Sequence, residues 1–160
     1  MTDVLARITA TQKTHVPAGT VLLQEGTKSG RIHVLAEGTI EVVRGETRVA
    51  LVSEPGAIFG EMSVLLDSPH TATVRAVSDA TVYEFADAAA FLKSDPDTTL
   101  AVAKLLAQRL HSATTYLVDL KRQYAGSGNH LGMVSDILAS LINQPPGKFE
   151  PGSDRAPDSQ

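Results

Sequence analysis

A mainly β fold with flanking helices, its strands closed as a sandwich or barrel and followed by one long C-terminal helix, is what these 160 residues predict. Three observations carry that expectation. From Lys13 to about Phe85, short β-branched or alternating segments are broken by Gly and Pro, the pattern of many short strands. After Phe85 the period turns helical, and from Asp95-Pro96 no Gly or Pro interrupts the chain until Gly126. The composition is 42% hydrophobic and 20% charged, that of one globular domain able to bury a core without staples.

Taken in order, Val16-Pro17-Ala18-Gly19-Thr20 reads as a turn into Val21-Leu22-Leu23. Glu25-Gly26-Thr27-Lys28-Ser29-Gly30 then supplies two glycines able to take positive φ. Arg31 to Ala36 and Thr39 to Arg44 read as a hairpin with Glu37-Gly38 as its two-residue loop. Residues 46–52 and 71–85 add further strands, so the barrel is expected over about 11–86. Asp95 is placed to cap a helix with Pro96 in its first turn, predicting a helix over 96–124 and a domain over 1–124. Within it Ala103, Leu106, Leu110, Ala113, Leu117, Leu120 and Tyr124 alternate spacings of three and four, a seam that wants a partner helix. We therefore expect a homodimer through this helix. Residues 125–144 read as a linker, Gly126-Ser127-Gly128, and a short amphipathic helix marked by Leu131, Val134, Leu138, Leu141 and Ile142. Residues 145–160, rich in Pro, Gly, Ser and Asp, read as a disordered tail.

Composition also excludes function classes. With no cysteine there are no disulfides, no thiolate catalysis and no sulfur-based zinc site, and a reducing compartment suits the chain. A net charge of −4 with scattered basic residues argues against direct nucleic-acid binding. Met1 to Arg7 is not a basic leader before an apolar run, and no stretch reaches the ~18 apolar residues of a membrane span, so the expected location is cytoplasmic. His15, His33, His70, His111 and His130 lack metal-ligand spacing, and neither a Walker loop nor a G-x-S-x-G elbow occurs. No metal, cofactor or catalytic residue is assigned, and no enzymatic activity is expected.

The segment that carries chemistry runs from Phe59-Gly60-Glu61-Met62-Ser63 through Ser68-Pro69-His70-Thr71-Ala72-Thr73. Gly60 permits a close backbone approach, and Glu61 offers a carboxylate able to accept from a hydroxyl. Residues 61–64 can begin a helical turn whose N–H groups attract an anion. A sugar hydroxyl and a phosphate would sit side by side there, and Pro69-His70-Thr71 would bring an imidazole and a hydroxyl to the same pocket.

This segment resembles the phosphate-binding cassette of the cyclic-nucleotide-binding domain, and Val16 to Leu22, Glu25-Gly26 and Glu37 to Val42 are similar to the family's glycine-marked strands. The resemblance covers about residues 10–124 and implies a double-stranded β-helix (jelly-roll) barrel and cAMP or cGMP as ligand; the residues after 128 offer too little helix for a helix-turn-helix, so a stand-alone module is expected. It implies that Glu61 accepts from the ribose 2′-OH, that Gly60, Met62 and Ser63 present backbone N–H groups to the cyclic phosphate, and that Thr71 and Ala72 contact the phosphate by hydroxyl and N–H. Thr114, or Thr115 beside it, would reach the purine edge. One departure matters: His70 stands where the family has arginine. An imidazole gives one donor toward the ligand and is mostly neutral near pH 7, so replacing a charge-assisted contact of roughly 1.5 to 3 kcal/mol weakens binding on the order of 10- to 100-fold. Arg75 is not expected to substitute, because its strand parity turns it to the other face. The alternative is a barrel of this family with a lost or changed ligand that serves as a protein-interaction scaffold, its short C-terminal helix docking on a downstream partner.

Overall fold

Alternating apolar positions fold the first half of the chain into two facing sheets, in a computed structural model that describes residues 13–123 and 130–143. The strands are β1 (Lys13–Val16), β2 (Val21–Leu23), β3 (Ile32–Glu37), β4 (Ile40–Arg44), β5 (Thr47–Val52), β6 (Ile58–Phe59), β7 (Thr73–Ala76) and β8 (Ala80–Phe85). They form two four-stranded antiparallel sheets, ordered β1-β8-β3-β6 and β2-β7-β4-β5, the expected jelly-roll-like arrangement. The helices are α1 (Glu61–Leu66), α2 (Ala88–Ser94), α3 (Pro96–Gln123) and α4 (His130–Asn143).

Leu23, Leu35, Ile40, Phe59, Val74, Ala76 and Val82 meet between the sheets as the core. Each of the Leu, Ile, Phe and Val side chains among them contributes about 1.5–3 kcal/mol when fully buried. The other face of the first sheet is covered as well: Ile32, Val34, Ile58 and Phe85 lie against Phe91, Leu92, Thr98 and Val102. That double cover explains why β3 is buried at four consecutive positions instead of alternating.

The expected hairpin across Glu37-Gly38 does not form, because β3 and β4 lie in different sheets. Gly38 is a corner: its φ is 101°, and a Cβ there would stand 2.6 Å from the Asp79 carbonyl oxygen. The chain is thus forced over Asp79–Ala80 into the opposite sheet. The true two-residue hairpin joins β4 to β5, where Arg44 pairs with Thr47 and Gly45 takes φ 60°, as a primed turn requires.

Helix α2 has no counterpart in the expectations above. Asp87 caps it by accepting from the Ala90 N–H at 3.2 Å, and Phe91 stacks on Phe85 with ring centroids 4.3 Å apart. Helix α3 starts as expected: the Asp95 carboxylate accepts from the Thr98 N–H at 3.3 Å and the Thr98 hydroxyl at 2.7 Å. The chain divides into two compact units, Met1–Ala103 and Lys104–Gln160, with the division falling within α3. In the second unit the α3 seam residues Leu106, Leu117 and Leu120 are half-buried and Leu110 is exposed. On α4, Val134 and Leu138 are half-buried. Tyr124, the Gly126-Ser127-Gly128 linker and the tail 145–160 lie outside the described residues, as do the side chains of Leu131, Leu141 and Ile142. No helix among the described residues is long and apolar enough to cross a membrane.

Candidate ligand-binding site

The site grows out of β6. Phe59 pairs with His33 on β3, and the next residue, Gly60, turns the chain into α1 with φ 92° and ψ −2°. Any side chain there is excluded, since a Cβ would stand 2.5 Å from the Arg31 carbonyl oxygen and 3.0 Å from a Leu23 methyl. The close approach that Gly60 permits is therefore to its own chain: the cassette rests on the segment between β2 and β3. Glu61 follows, buried at 3% exposure in the first turn of α1, where the helix dipole favours a carboxylate.

Met62 points outward at 49% exposure, while Ser63 is buried and spends its hydroxyl on the Ser68 carbonyl oxygen. The Ser68 N–H returns to the Ser63 carbonyl at 3.0 Å, and Asp67 ends α1 in a left-handed conformation, φ 50°. Ser63 thus closes the cassette turn with its side chain. Asp67, highly exposed at the far end of α1 from Glu61, pairs with Lys28 at 2.6 Å.

His70 is held through both its backbone and its ring. Its N–H donates to the Thr27 carbonyl and its carbonyl accepts from the Gly26 N–H, each at 2.8 Å. Its Nε2 lies 2.6 Å from the Ser29 hydroxyl. Burial lowers its pKa below the ordinary 6.5, so the ring is neutral near pH 7. Thr71, next in the chain, is exposed, and Ala72 is half-buried. Sequence, cassette and loop 24–31 therefore bring Gly60, Glu61, Met62, Ser63, His70, Thr71 and Ala72 into one unit. Thr114 is half-buried on α3 in the second unit.

Beneath the cassette lie groups that the motif did not point to. Glu84 on β8 accepts from Arg31 at 2.8 Å and stands 3.9 Å from Nε2 of His33, its cross-strand neighbour. The His33 ring is 3% exposed and its Nδ1 is a buried atom without a hydrogen-bond partner. Burial lowers the His33 pKa below 6.5; Glu84 works against that, while Arg31 and His70 reinforce it. Alternation along β3, which puts His33 on the face of Leu35, was the signal that could have revealed it. Ser29 carried none.

Arg75 is on the outer face of the second sheet, between the core positions Val74 and Ala76, and donates to the Glu41 carboxylate. Arg48 reaches the same carboxylate at 2.9 Å, and the two guanidiniums lower the Glu41 pKa below its ordinary value. Arg75 is thereby committed away from the cassette, in keeping with its strand parity. A separate open cleft of about 410 Å³ lies against β1 and β8, lined by His15, Pro17, Glu37, Asp79 and Thr81. Its two carboxylates, Glu37 and Asp79, disfavour an anion. Among the described residues no three His, Asp or Glu side chains are grouped to hold a metal ion.

Comparison with known proteins bears on the family and the fold. The family model described as the cyclic nucleotide-binding domain matches residues 13–93. The chain belongs to that family. An uncharacterized ABC transporter ATP-binding protein of Mycobacterium tuberculosis is 45% identical over 71 residues, 42% of this chain and 22% of its own length. The chain thus spans about a fifth of such relatives. The Thermus thermophilus catabolite activator protein superposes over 88% of this chain and 81% of its own, with TM-score 0.62 and 21% identity. Cyclic-AMP-bound PfPKA-R superposes over 68% of this chain and 36% of its own, with TM-score 0.53 and 18% identity. These two likenesses establish the fold.

Proposed function

We propose that this chain is a regulatory module that binds cAMP or cGMP through the cassette, without catalysis, and relays occupancy through α3. The observation that carries this reading is the buried Glu61 directly after the left-handed Gly60: a carboxylate and a first helical turn are set side by side, as a ribose hydroxyl and a cyclic phosphate require. Family membership and the solved relatives support the same ligand class. For the relay, the first turns of α3 are fixed by the Asp95–Thr98 cap and by buried Val102, and the helix continues unbroken to Gln123. A ligand shifts that helix only by binding one of its arrangements better than another. The α3 seam makes a second copy of the chain the proposed partner, in a soluble, cytoplasmic dimer without direct DNA binding.

Affinity is set by His70. A neutral imidazole supplies one hydrogen bond where a guanidinium supplies two and a charge. Titration calorimetry with cAMP and cGMP is expected to show weak binding by the wild type and at least tenfold tighter binding by His70→Arg. No heat from either protein at millimolar ligand would overturn the reading and bring forward the changed-ligand scaffold.

A further inference from the structure

The two sheets differ in what lies on their outer faces. That of the first is covered by Phe91, Leu92 and Val102, whereas that of the second leaves Val21, Val49 and Leu51 exposed. Strand pairing sets Val21 on β2, Arg75 on β7, Glu41 on β4 and Leu51 on β5 in one row across the second sheet. With strands about 4.8 Å apart the row is ~14 Å long, the reach of about four extended residues. At its middle the Glu41 carboxylate is buried, at 4% exposure, by the guanidiniums of Arg75 and Arg48, which are themselves exposed. Each arginine gives Glu41 its Nε and Nη2, and among the described residues Nη1 of neither has a partner. Two guanidiniums against one carboxylate leave this cluster with one surplus positive charge. A buried ion cluster adds little stability over apolar packing of the same size. Its effect here is to hold two long side chains in fixed positions with donors to spare, so that a partner need not bear the cost of immobilising them.

We propose that the outer face of the β2-β7-β4-β5 sheet is a docking surface for a segment of another protein that carries a carboxylate between apolar side chains. The carboxylate meets Arg48 and Arg75, and the apolar groups meet Val21 at one end of the row and Leu51 with Val49 at the other. Charge selects this occupant. A second copy binding by the same surface would set two positive clusters against each other. A nucleic acid would match the guanidiniums, but the rest of the row is aliphatic and offers no ring for a base to stack on, and the chain carries a net charge of −4. Apolar side chains around arginine suit the centre of a protein interface. The inference stands whatever the cassette binds.

The test uses the isotope-labelled full chain and an array of short capped peptides, each with a central glutamate between leucine, valine or phenylalanine, beside the same peptides with glutamine in its place. Glutamate peptides are expected to shift the amide resonances of Val21, Glu41, Val49 and Leu51 and the Nε–H resonances of Arg48 and Arg75. They should bind about tenfold more tightly than their glutamine counterparts, through the charge-assisted contact they gain, and added salt should narrow that difference. Arg75→Gln leaves buried Glu41 short of a partner and can unfold the chain, so the decisive variant is Leu51→Ser, at an exposed position outside the ion cluster. It should weaken binding while the arginine Nε–H resonances of the free protein stay in place. Equal binding of glutamate and glutamine peptides, no shift from any peptide of the array, shifts confined to another surface, or unchanged binding by Leu51→Ser overturns the proposal. So does a dimer that Leu51→Ser divides, which gives the face to a second copy, or an oligonucleotide that shifts the same resonances, which gives it to a nucleic acid.

Discussion

At the scale of single residues, the two buried histidines make stability depend on pH in a definite direction. His33 and His70 both have folded pKa values below the ordinary 6.5, chiefly through burial. A lowered histidine pKa means that the unfolded chain takes up the proton first. Stability is therefore intact above about pH 6.5 and falls as the pH drops below it toward the folded values. Glu41 acts lower on the scale: its folded pKa is below 4.5, so its contribution is present above 4.5 and is lost as pH falls through the folded value. Urea midpoints at pH 7.5, 6.5 and 5.5 are expected to decline, and the decline should be shallower in His33→Phe, which cannot titrate. A midpoint that stays level to pH 5.5 would show that neither ring is held neutral by the fold. Glu61 and the cassette were legible as residues, because a glycine–acid pair before an apolar turn is a local pattern. The floor was not. Ser29, His33 and Glu84 come from a loop and two strands, and only the pairing of β3 with β6 and β8 assembles them.

At the scale of elements, two glycines with nearly the same φ separate conformation from contact. Gly19 has φ 89° with nothing within 4 Å of a built Cβ, whereas Gly60 has φ 92° and would drive a Cβ into the Arg31 carbonyl. Gly19→Ala should cost only the left-handed penalty of about 1–2 kcal/mol. Gly60→Ala should cost clearly more and lower nucleotide affinity as well, because the cassette must lift off loop 24–31. Chemical denaturation of both variants measures this, and equal losses would mean that the Arg31 contact contributes nothing. The same comparison explains what sequence could reach. The cap at Asp95 and the run from Pro96 are local signals, and α3 follows them. The partners of strands are not local: Glu37-Gly38 has the residues of a hairpin loop, yet the packing of Gly38 on Asp79 and Ala80 sends β4 to the other sheet. Helix α2 was hidden because Ala88-Ala89-Ala90 sets no period of its own, and its place is fixed by Phe91 stacking on Phe85.

At the scale of the whole molecule, the α3 seam should set the oligomeric state. Leu110, at 46% exposure, lies at the middle of the seam and is the position at which a charge would be least tolerated by a partner helix. Sedimentation velocity of the wild type is expected to give twice the chain mass and Leu110→Glu the single chain mass; a wild type at the single mass at every concentration would remove the dimer. The sheet margins carry a consequence of another kind. Of the four marginal strands, β6 has two residues, β2 three and β1 four, and the one long margin, β5, is bent by the bulge opposite Val42 and Val43 and carries Arg48 on it. Short, bulged or charged borders give a neighbouring polypeptide little on which to add a strand. The border on which a strand could most readily add is therefore β5, where Val49 and Leu51 are exposed and Arg48 and the bulge oppose pairing.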